Sequence, residues 1–336
     1  MTTRPRPARI GDVARAAGVS VPTVSRVLTG AAPVSSERRR RVLRAIDELD
    51  FRPSGTARAL ATGRRDLVAV VTSSTAIHGY SQTLQGIETA ARAGGYSVVI
   101  SVVESTDPAE IDRAVQLMSE LPLAGALVLK FDRVGVAALE RFPSAVPLVA
   151  VSGLVDGAHP QAVLDEERAG AALTRHLLEL GHRTVHHVAV PPSRAEDGRT
   201  TGWREELLRA GAPVPPVVTA ASFDAAAGVD IGRVLALDDA VTAVFCGNDE
   251  VAMGVMSGAG DAGRRVPEDL SVVGMDDHPM AGVWRPGLAT ARQDFPDLGR
   301  RAFSLLEARI GGDEAATLST VDAQVVVRAS TAPPRR

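Results

Sequence analysis

Residues 9–30 read RIGDVARAAGVSVPTVSRVLTG, and this stretch sets the organisation of the whole chain. Two short helical patterns flank a turn at Gly18-Val19-Ser20. Asp12–Ala17 reads as a first helix, with Val13 and either Ala16 or Ala17 facing inward. Gly18 takes the sharp turn because it reaches positive φ without steric cost. Ser20 is a favourable N-cap for the second helix, and Pro22 falls in its first turn, where a missing N–H costs nothing. Val24, Val27 and Leu28 recur at helical spacing and are expected inside. Val21, Pro22, Ser25 and Arg26 are left on the outer face. Such a helix-turn-helix lays its second helix in the DNA major groove. Arg26 either pairs bidentately with a guanine edge or holds a phosphate. Val21 and Pro22 offer little hydrogen bonding, so base choice there rests on shape and methyl contacts.

Downstream, Ser35 is placed to cap a third helix running to about Leu49. Val42, Leu43, Ile46 and Leu49 form its apolar stripe, with Arg38–Arg41 and Arg44 towards solvent or a nucleic-acid backbone. The following DFRPSGTARALATGRRD (50–66) is broken at Pro53 and Gly55, has a short helical turn at Ala57–Ala61, and ends at Gly63. So short a helix is marginal alone and forms only when something else holds it.

The chain of 336 residues is 45% apolar and carries a net charge of -3, enough for two or three structural units. The charge is unevenly spread. Residues 1–65 hold 14 arginines against 5 acidic residues, a net of +9, and the rest holds 23 basic against 35 acidic, a net of -12. Only the head is suited to a polyanion. Cys246 is the single cysteine, so no internal disulfide framework exists. The N-terminal MTTRPRPARI lacks the apolar run of a secretory signal, and no segment approaches the roughly 18 apolar residues of a membrane span. The expected location is the cytoplasm, on the nucleoid when bound to DNA. Lys130 is the only lysine among 37 basic residues, which reads as genomic base bias.

From Leu67 the pattern alternates. LVAVVTSS (67–74), YSVVISVVE (96–104), GALVLK (125–130), PLVAVS (147–152), TVHHVAV (184–190), AVFCGN (243–248) and LSVVGMD (270–276) read as buried strands. Helical patterns at Ser81–Ala93, Pro108–Leu121, Glu166–Leu180, Trp203–Ala210 and Glu250–Ala259 separate them. Continuous apolar strands of this kind suit parallel sheets covered on both faces, so the body is α/β and doubly wound. Ligands in such folds bind at the carboxyl ends of strands. Ser73, Asn248, Asp249, Asp276 and Asp277 stand at such ends, and Arg199 lies in a loop before the helix carrying Trp203. Asn248 either meets a ligand or caps the helix starting near Asp249; Asp277 reads as a turn residue. His186 and His187 are adjacent on a strand and point to opposite faces, and with His182 they make no metal-ligand set. Neither a phosphate loop nor a nucleophile–base pair is evident. The expectation is a non-enzyme without metal or cofactor.

The chain resembles the LacI/GalR family of bacterial transcription regulators. The likeness rests on DVARAAGVSVPTVSRVL (12–28), VSSERRRRV (34–42) and FRPSGTARALATGR (51–64) in the head. In the body it rests on GHRTVHHVA (181–189), GRTTGW (198–203), FCGNDEVAMG (245–254), LSVVGMDD (270–277) and LATARQDFPDLG (288–299), and it spans about Arg9 to Ser330. SSTAIHGYSQTLQGI (73–87) and YSVVISVVES (96–105) look most like its lactose-type members. The resemblance implies an all-α helix-turn-helix head (1–52), a hinge helix and linker (53–65), a two-lobed periplasmic-binding-protein-like core (66–330) and a tail (331–336). The core's first lobe would take about 66–160 and 294–330, and its second about 161–293. It places Ser20, Val21, Pro22, Thr23, Ser25, Arg26, Thr29, Ser35, Phe51, Ala57, Arg58 and Leu60 against DNA, with Leu60 wedged between base steps of the minor groove. It places Ser73, Ser152, Arg199, Phe223, Asn248, Asp276, Gln293 and Phe295 around a small effector. His78, Tyr80 and Ser81 fall at the pocket mouth or at a subunit interface.

Two departures matter. Lactose-type members carry an aspartate where Ser152 stands, which leaves the identity of a sugar open. The tail VVVRASTAPPRR (325–336) has no leucine heptad, so a homodimer, rather than a zippered four-chain assembly, is expected. The resemblance thus implies a repressor released from a palindromic double-stranded operator by a small sugar, or else a regulator of the same family that needs a corepressor.

Overall fold

The structure, a computed structural model, describes residues 8–29, 32–51, 65–157, 159–193 and 197–335. Ala57, Arg58 and Leu60, with the expected hinge turn, lie outside the described residues. The chain divides into two compact units, Met1–Asp66 and Leu67–Arg336.

The head holds α1 (Ile10–Ala17), α2 (Val21–Thr29) and α3 (Ser36–Glu48). The Asp12 carboxylate accepts the Arg9 N–H at 2.9 Å and so starts α1 two residues earlier than the sequence pattern suggests. Gly18 at φ 61° ends it. The Ser20 carbonyl accepts the N–H groups of Thr23 and Val24, and its hydroxyl bonds that of Thr23 at 2.9 Å. Ser35 precedes α3 without a side-chain cap bond. The small core is Val13, Ala14, Ala17, Val24, Val27, Val42, Ala45 and Phe51. Leu28, Leu43 and Leu49, expected inside, are 37%, 46% and 37% exposed. Leu28 and Leu43 each lie one helical step beyond the inward Val27 and Val42. Ala17, expected inward, and Ala45 let the helices close up. Phe51, expected against DNA, instead turns into this core, its N–H bonded to the Ile46 carbonyl.

In the second unit, six parallel strands run in the order β11-β5-β4-β3-β1-β2. They are β1 (Leu67–Thr72), β2 (Ser97–Val102), β3 (Leu123–Leu129), β4 (Leu148–Ser152), β5 (Gln161–Leu164) and β11 (Leu318–Val321). Side chains alternate along β1. Val68 and Val70 pack beneath α4 (His78–Ala93) and α11 (Phe295–Ile310), while Ala69 and Val71 face α5 (Pro108–Ser119) and α6 (Arg133–Arg141).

A second parallel sheet has the order β7-β6-β8-β9, from β6 (His186–Ala189), β7 (Val218–Thr219), β8 (Ala243–Cys246) and β9 (Ser271–Val273). Here Phe245 faces α7 (Glu166–Glu179) and α8 (Gly198–Arg209). Val244 and Cys246 face α9 (Ala225–Leu235) and α10 (Asp249–Asp261). An antiparallel pair, β10 (Thr290–Arg292) with β12 (Gln324–Val326), bridges onto the β9 side.

The sheets shift the lobe boundaries expected from sequence. The first sheet takes in Gln161–Leu164 rather than stopping at 160. Past Val321 the chain returns to the second sheet, where Ser330 exchanges hydrogen bonds with Val272 and Ala332 with Ser271. Residues 322–332 therefore belong to the second lobe, not to the first lobe and a tail. The segment approaches because the Ser271 and Ser330 hydroxyls satisfy main-chain groups beside β9 that would otherwise be buried unpaired.

Candidate functional site

The residues that follow β1, β3, β4, β6, β8 and β9 converge on one narrow cavity of about 40 Å³ between the two sheets. Arg199 is at its centre. It sits in the first turn of α8, not in a preceding loop, because Asp197 caps that helix by accepting the Thr200 N–H at 2.9 Å. The guanidinium of Arg199 is 2.7 Å from Glu166 Oε1 and 3.9 Å from Asp276, and it donates to the Gly247 carbonyl. Arg199 is only 8% exposed. Burial opposes its charge, but Glu166, Asp276 and Asp197 more than offset this and raise its pKa.

The carboxylates respond in the opposite sense. Burial raises the Glu166 pKa against the pull of Arg199. Burial and the charge of Glu250 push Asp276 up to about 7, with Arg199 and a hydrogen bond from Gln293 pulling the other way. Asp276 is held at φ 112°, a strained value for a residue with a side chain. Gln293 Nε2 fixes its carboxylate at 2.8 Å. Behind it, fully buried Asp249 accepts the Thr290 hydroxyl and the His278 N–H, each at 2.6 Å. Burial raises its pKa well above normal, and Asp276 adds to this.

Phe131, Phe223, Phe295 and Tyr80 form the apolar wall. Tyr80 meets Phe131 and Phe223 edge to face, and its hydroxyl donates to Asp132 at 2.9 Å. Ser73 donates to the same carboxylate. Asp132 in turn caps α6 through the Gly135 N–H.

The structure therefore brings Arg199, Phe223, Asn248, Asp276 and Phe295 to the cavity wall. Gln293 stands behind Asp276, and Ser73 behind Asp132. Ser152 is turned away, its hydroxyl donating to the Leu154 carbonyl at 2.8 Å; the next two residues, Gly153 and Leu154, line the cavity instead. Asn248 is committed at both ends. Its Oδ1 accepts the Val251 N–H to cap α10, and its Nδ2 donates to the Phe223 carbonyl. Tyr80 is buried in the wall, and the His78 ring sits 4.8 Å from that of His278. Asp277 is no simple turn residue: it binds Arg292 at 2.6 Å and Arg328 at 2.5 Å. His182 bonds Thr242, Ser271 and Ala332, and His187 bonds Phe245 and Thr200. These are satisfied core histidines.

Sequence reasoning missed Glu166, Asp132 and Asp197. Glu166 is the most telling. Its carboxyl lies so close over Gly153 that a Cβ at 153 would meet it at 2.1–2.4 Å. The acidic side chain needs that glycine.

In the head, α2 presents exposed Val21, Pro22 and Arg26, with Thr23, Ser25 and Thr29 half-buried behind them. The Thr29 hydroxyl donates to the Ser25 carbonyl. Ser20 and Ser35 are exposed where α2 and α3 begin.

The profile of bacterial regulatory proteins of the lacI family matches residues 9–54, and that of the periplasmic binding protein-like domain matches residues 174–331. The HTH-type transcriptional repressor PurR of Pasteurella multocida (strain Pm70) is 30% identical over 309 residues, covering 90% of this chain and 92% of that protein. The chain belongs to the lacI family. Catabolite control protein A of Priestia megaterium is 28% identical over 324 residues, covering 94% of this chain and 95% of that protein. The solved lac repressor dimer bound to operator and the anti-inducer ONPF superposes with a TM-score of 0.87 at 30% identity, over 97% of this chain and all of that one. The complex of the regulator CelR with cellobiose gives 0.71 at 29% identity, over 96% and 99% of the two chains. As a lacI-family member the protein is a DNA-binding transcription regulator with an effector-binding core. Among the described residues no helix is long and apolar enough to cross a membrane.

Proposed function

We propose that this regulator is a homodimeric repressor that leaves a palindromic operator when a small sugar enters the core cavity. The observation that carries the reading is Arg199, buried between Glu166 and Asp276 in a cavity that Phe131, Phe223, Phe295 and Tyr80 also line. Charge-assisted, bidentate-capable groups suit adjacent hydroxyls, and ring faces suit the apolar side of a pyranose. The cavity of about 40 Å³ holds only a few waters, so a hexose has to part its walls. That gives the ligand a differential affinity for an opened arrangement, which is what shifts a two-state equilibrium. A cytoplasmic location, on the nucleoid when operator-bound, follows from this role, as does the absence of enzymatic activity.

The similarity to PurR repressors favours one second reading, a corepressor-dependent regulator. In the test, labelled DNA from upstream of the protein's own gene is titrated at fixed salt, alone and with mono- and disaccharides or purine bases. Release by a sugar supports the induced repressor. Tight binding only in the presence of a ligand replaces it with the corepressor reading. DNA binding indifferent to every ligand removes both.

A further inference from the structure

The cavity lining is not neutral. Among the described residues, Glu166, Asp197 and Asp276 face it against Arg199, three carboxylates to one guanidinium. Glu166 is built into place, its carboxyl lying where Gly153 has no side chain. Among the described residues, Arg199 Nε in that lining has no partner, and outside the lining Gln293 Oε1 and Glu250 Oε2 are buried acceptors without one. Gln293 is 4% exposed, and one N–H of its amide is given to Asp276. A neutral hydroxyl brings one donor and lone pairs of its own, whereas an ammonium brings three donors and no acceptor. The faces of the aromatic wall attract cations as well. Anionic ligands, such as phosphorylated sugars and nucleotides, meet repulsion from the same lining.

We propose that the effector carries a primary ammonium on a polyol frame, an amino sugar or aminocyclitol, with the ammonium seated against Glu166 and Asp276. This rests on the polyol reading of the cavity and narrows it. Burial and mutual repulsion raise the pKa values of Glu166, Asp249 and Asp276 alike, and a bound cation would relieve that repulsion.

The experiment is calorimetric titration of the full-length protein at fixed salt and pH 7.5 with matched sets: glucosamine, glucose and N-acetylglucosamine, then galactosamine, galactose and N-acetylgalactosamine. The amino sugar of at least one set is expected to bind tenfold or more tightly than its two neutral counterparts. Glu166→Gln is expected to reduce that preference at least tenfold. Asp276→Asn does the same if the first variant fails to fold. A neutral sugar that binds as tightly as its amino counterpart overturns the ammonium and leaves the polyol reading standing. A preference that survives both substitutions overturns the proposed seat. If none of the six sugars binds, both the ammonium and the polyol reading fall.

Discussion

At the scale of single residues, the core depends on a buried ion pair whose halves cannot be separated cheaply. Removing one partner of such a pair leaves an uncompensated charge, at a cost of about 3–5 kcal/mol. Arg199→Ala is therefore expected to destabilise the core by that amount as well as to abolish the effector response. Adding Glu166→Gln should recover part of the loss. Denaturant melts of the two single variants and the double variant check this; additive losses would show that the two side chains do not act as a pair. Asp276 adds a pH dependence. Its carboxyl is pushed from an ordinary value near 3.9 up to about 7, so between about pH 4 and 7 the folded state holds a proton that the unfolded state has lost. Stability conferred by the protonated form is full below about pH 4 and falls as pH rises to 7. Asp276→Asn is expected to flatten that slope, as measured by denaturant unfolding at pH 5 and pH 7.5. Asp276 was legible because it stands at a strand end, and Arg199, Phe223 and Phe295 because the resemblance to the family marks their positions. Glu166 was not, because an acidic residue in the first turn of a helix reads as a complement to the helix dipole. Its ion pair with Arg199 and its approach to Gly153 show otherwise. Asn248 was legible as a site residue and as a cap, and the cap is the role its hydrogen bonds show.

At the scale of elements, the site depends on how closely α7 and α8 cross, since one carries Glu166 and the other Arg199. Glycines make the crossing possible. A Cβ at Gly202 would stand 1.9 Å from the Glu167 carbonyl oxygen, and one at Gly170 would stand 2.5 Å from that of Arg199. Gly202→Ala forces the helices apart. Overpacking of this kind costs about 1–3 kcal/mol, and against backbone the upper end is expected. It should also weaken the effector far more than Gly260→Ala, since Gly260 lies in α10 with open space around it. Equal effects in a melt and a ligand titration would detach the crossing from the site. The alternating strand and helix pattern was readable because apolar runs longer than four residues are hard to mistake. The short pieces were not: β5, β7, β10, β11 and β12 span two to four residues each. Their place is set by pairing with distant strands rather than by their own composition. In the head the helices were legible, and so were the inward Val13, Ala17, Val24, Val27 and Val42, but not Ala45 and Phe51. Alanine at 17 and 45, rather than leucine at 28, 43 and 49, closes that small core, and Phe51 completes it from beyond α3.

At the scale of the whole molecule, a head of net +9 precedes a body of net -12. Non-specific affinity for DNA therefore comes from the arginines of the first unit and should fall steeply with salt. Effector control should not share that dependence, because the core cavity is buried. If the ligand and operator are coupled through the core, the coupling is reciprocal and typically about 1–3 kcal/mol, or roughly 5- to 150-fold in affinity. The most direct test is to titrate one and the same effector calorimetrically into the free protein and into the protein saturated with operator. The account predicts that operator weakens the effector by the factor by which the effector weakens operator. Equal effector affinity in the two titrations would contradict it.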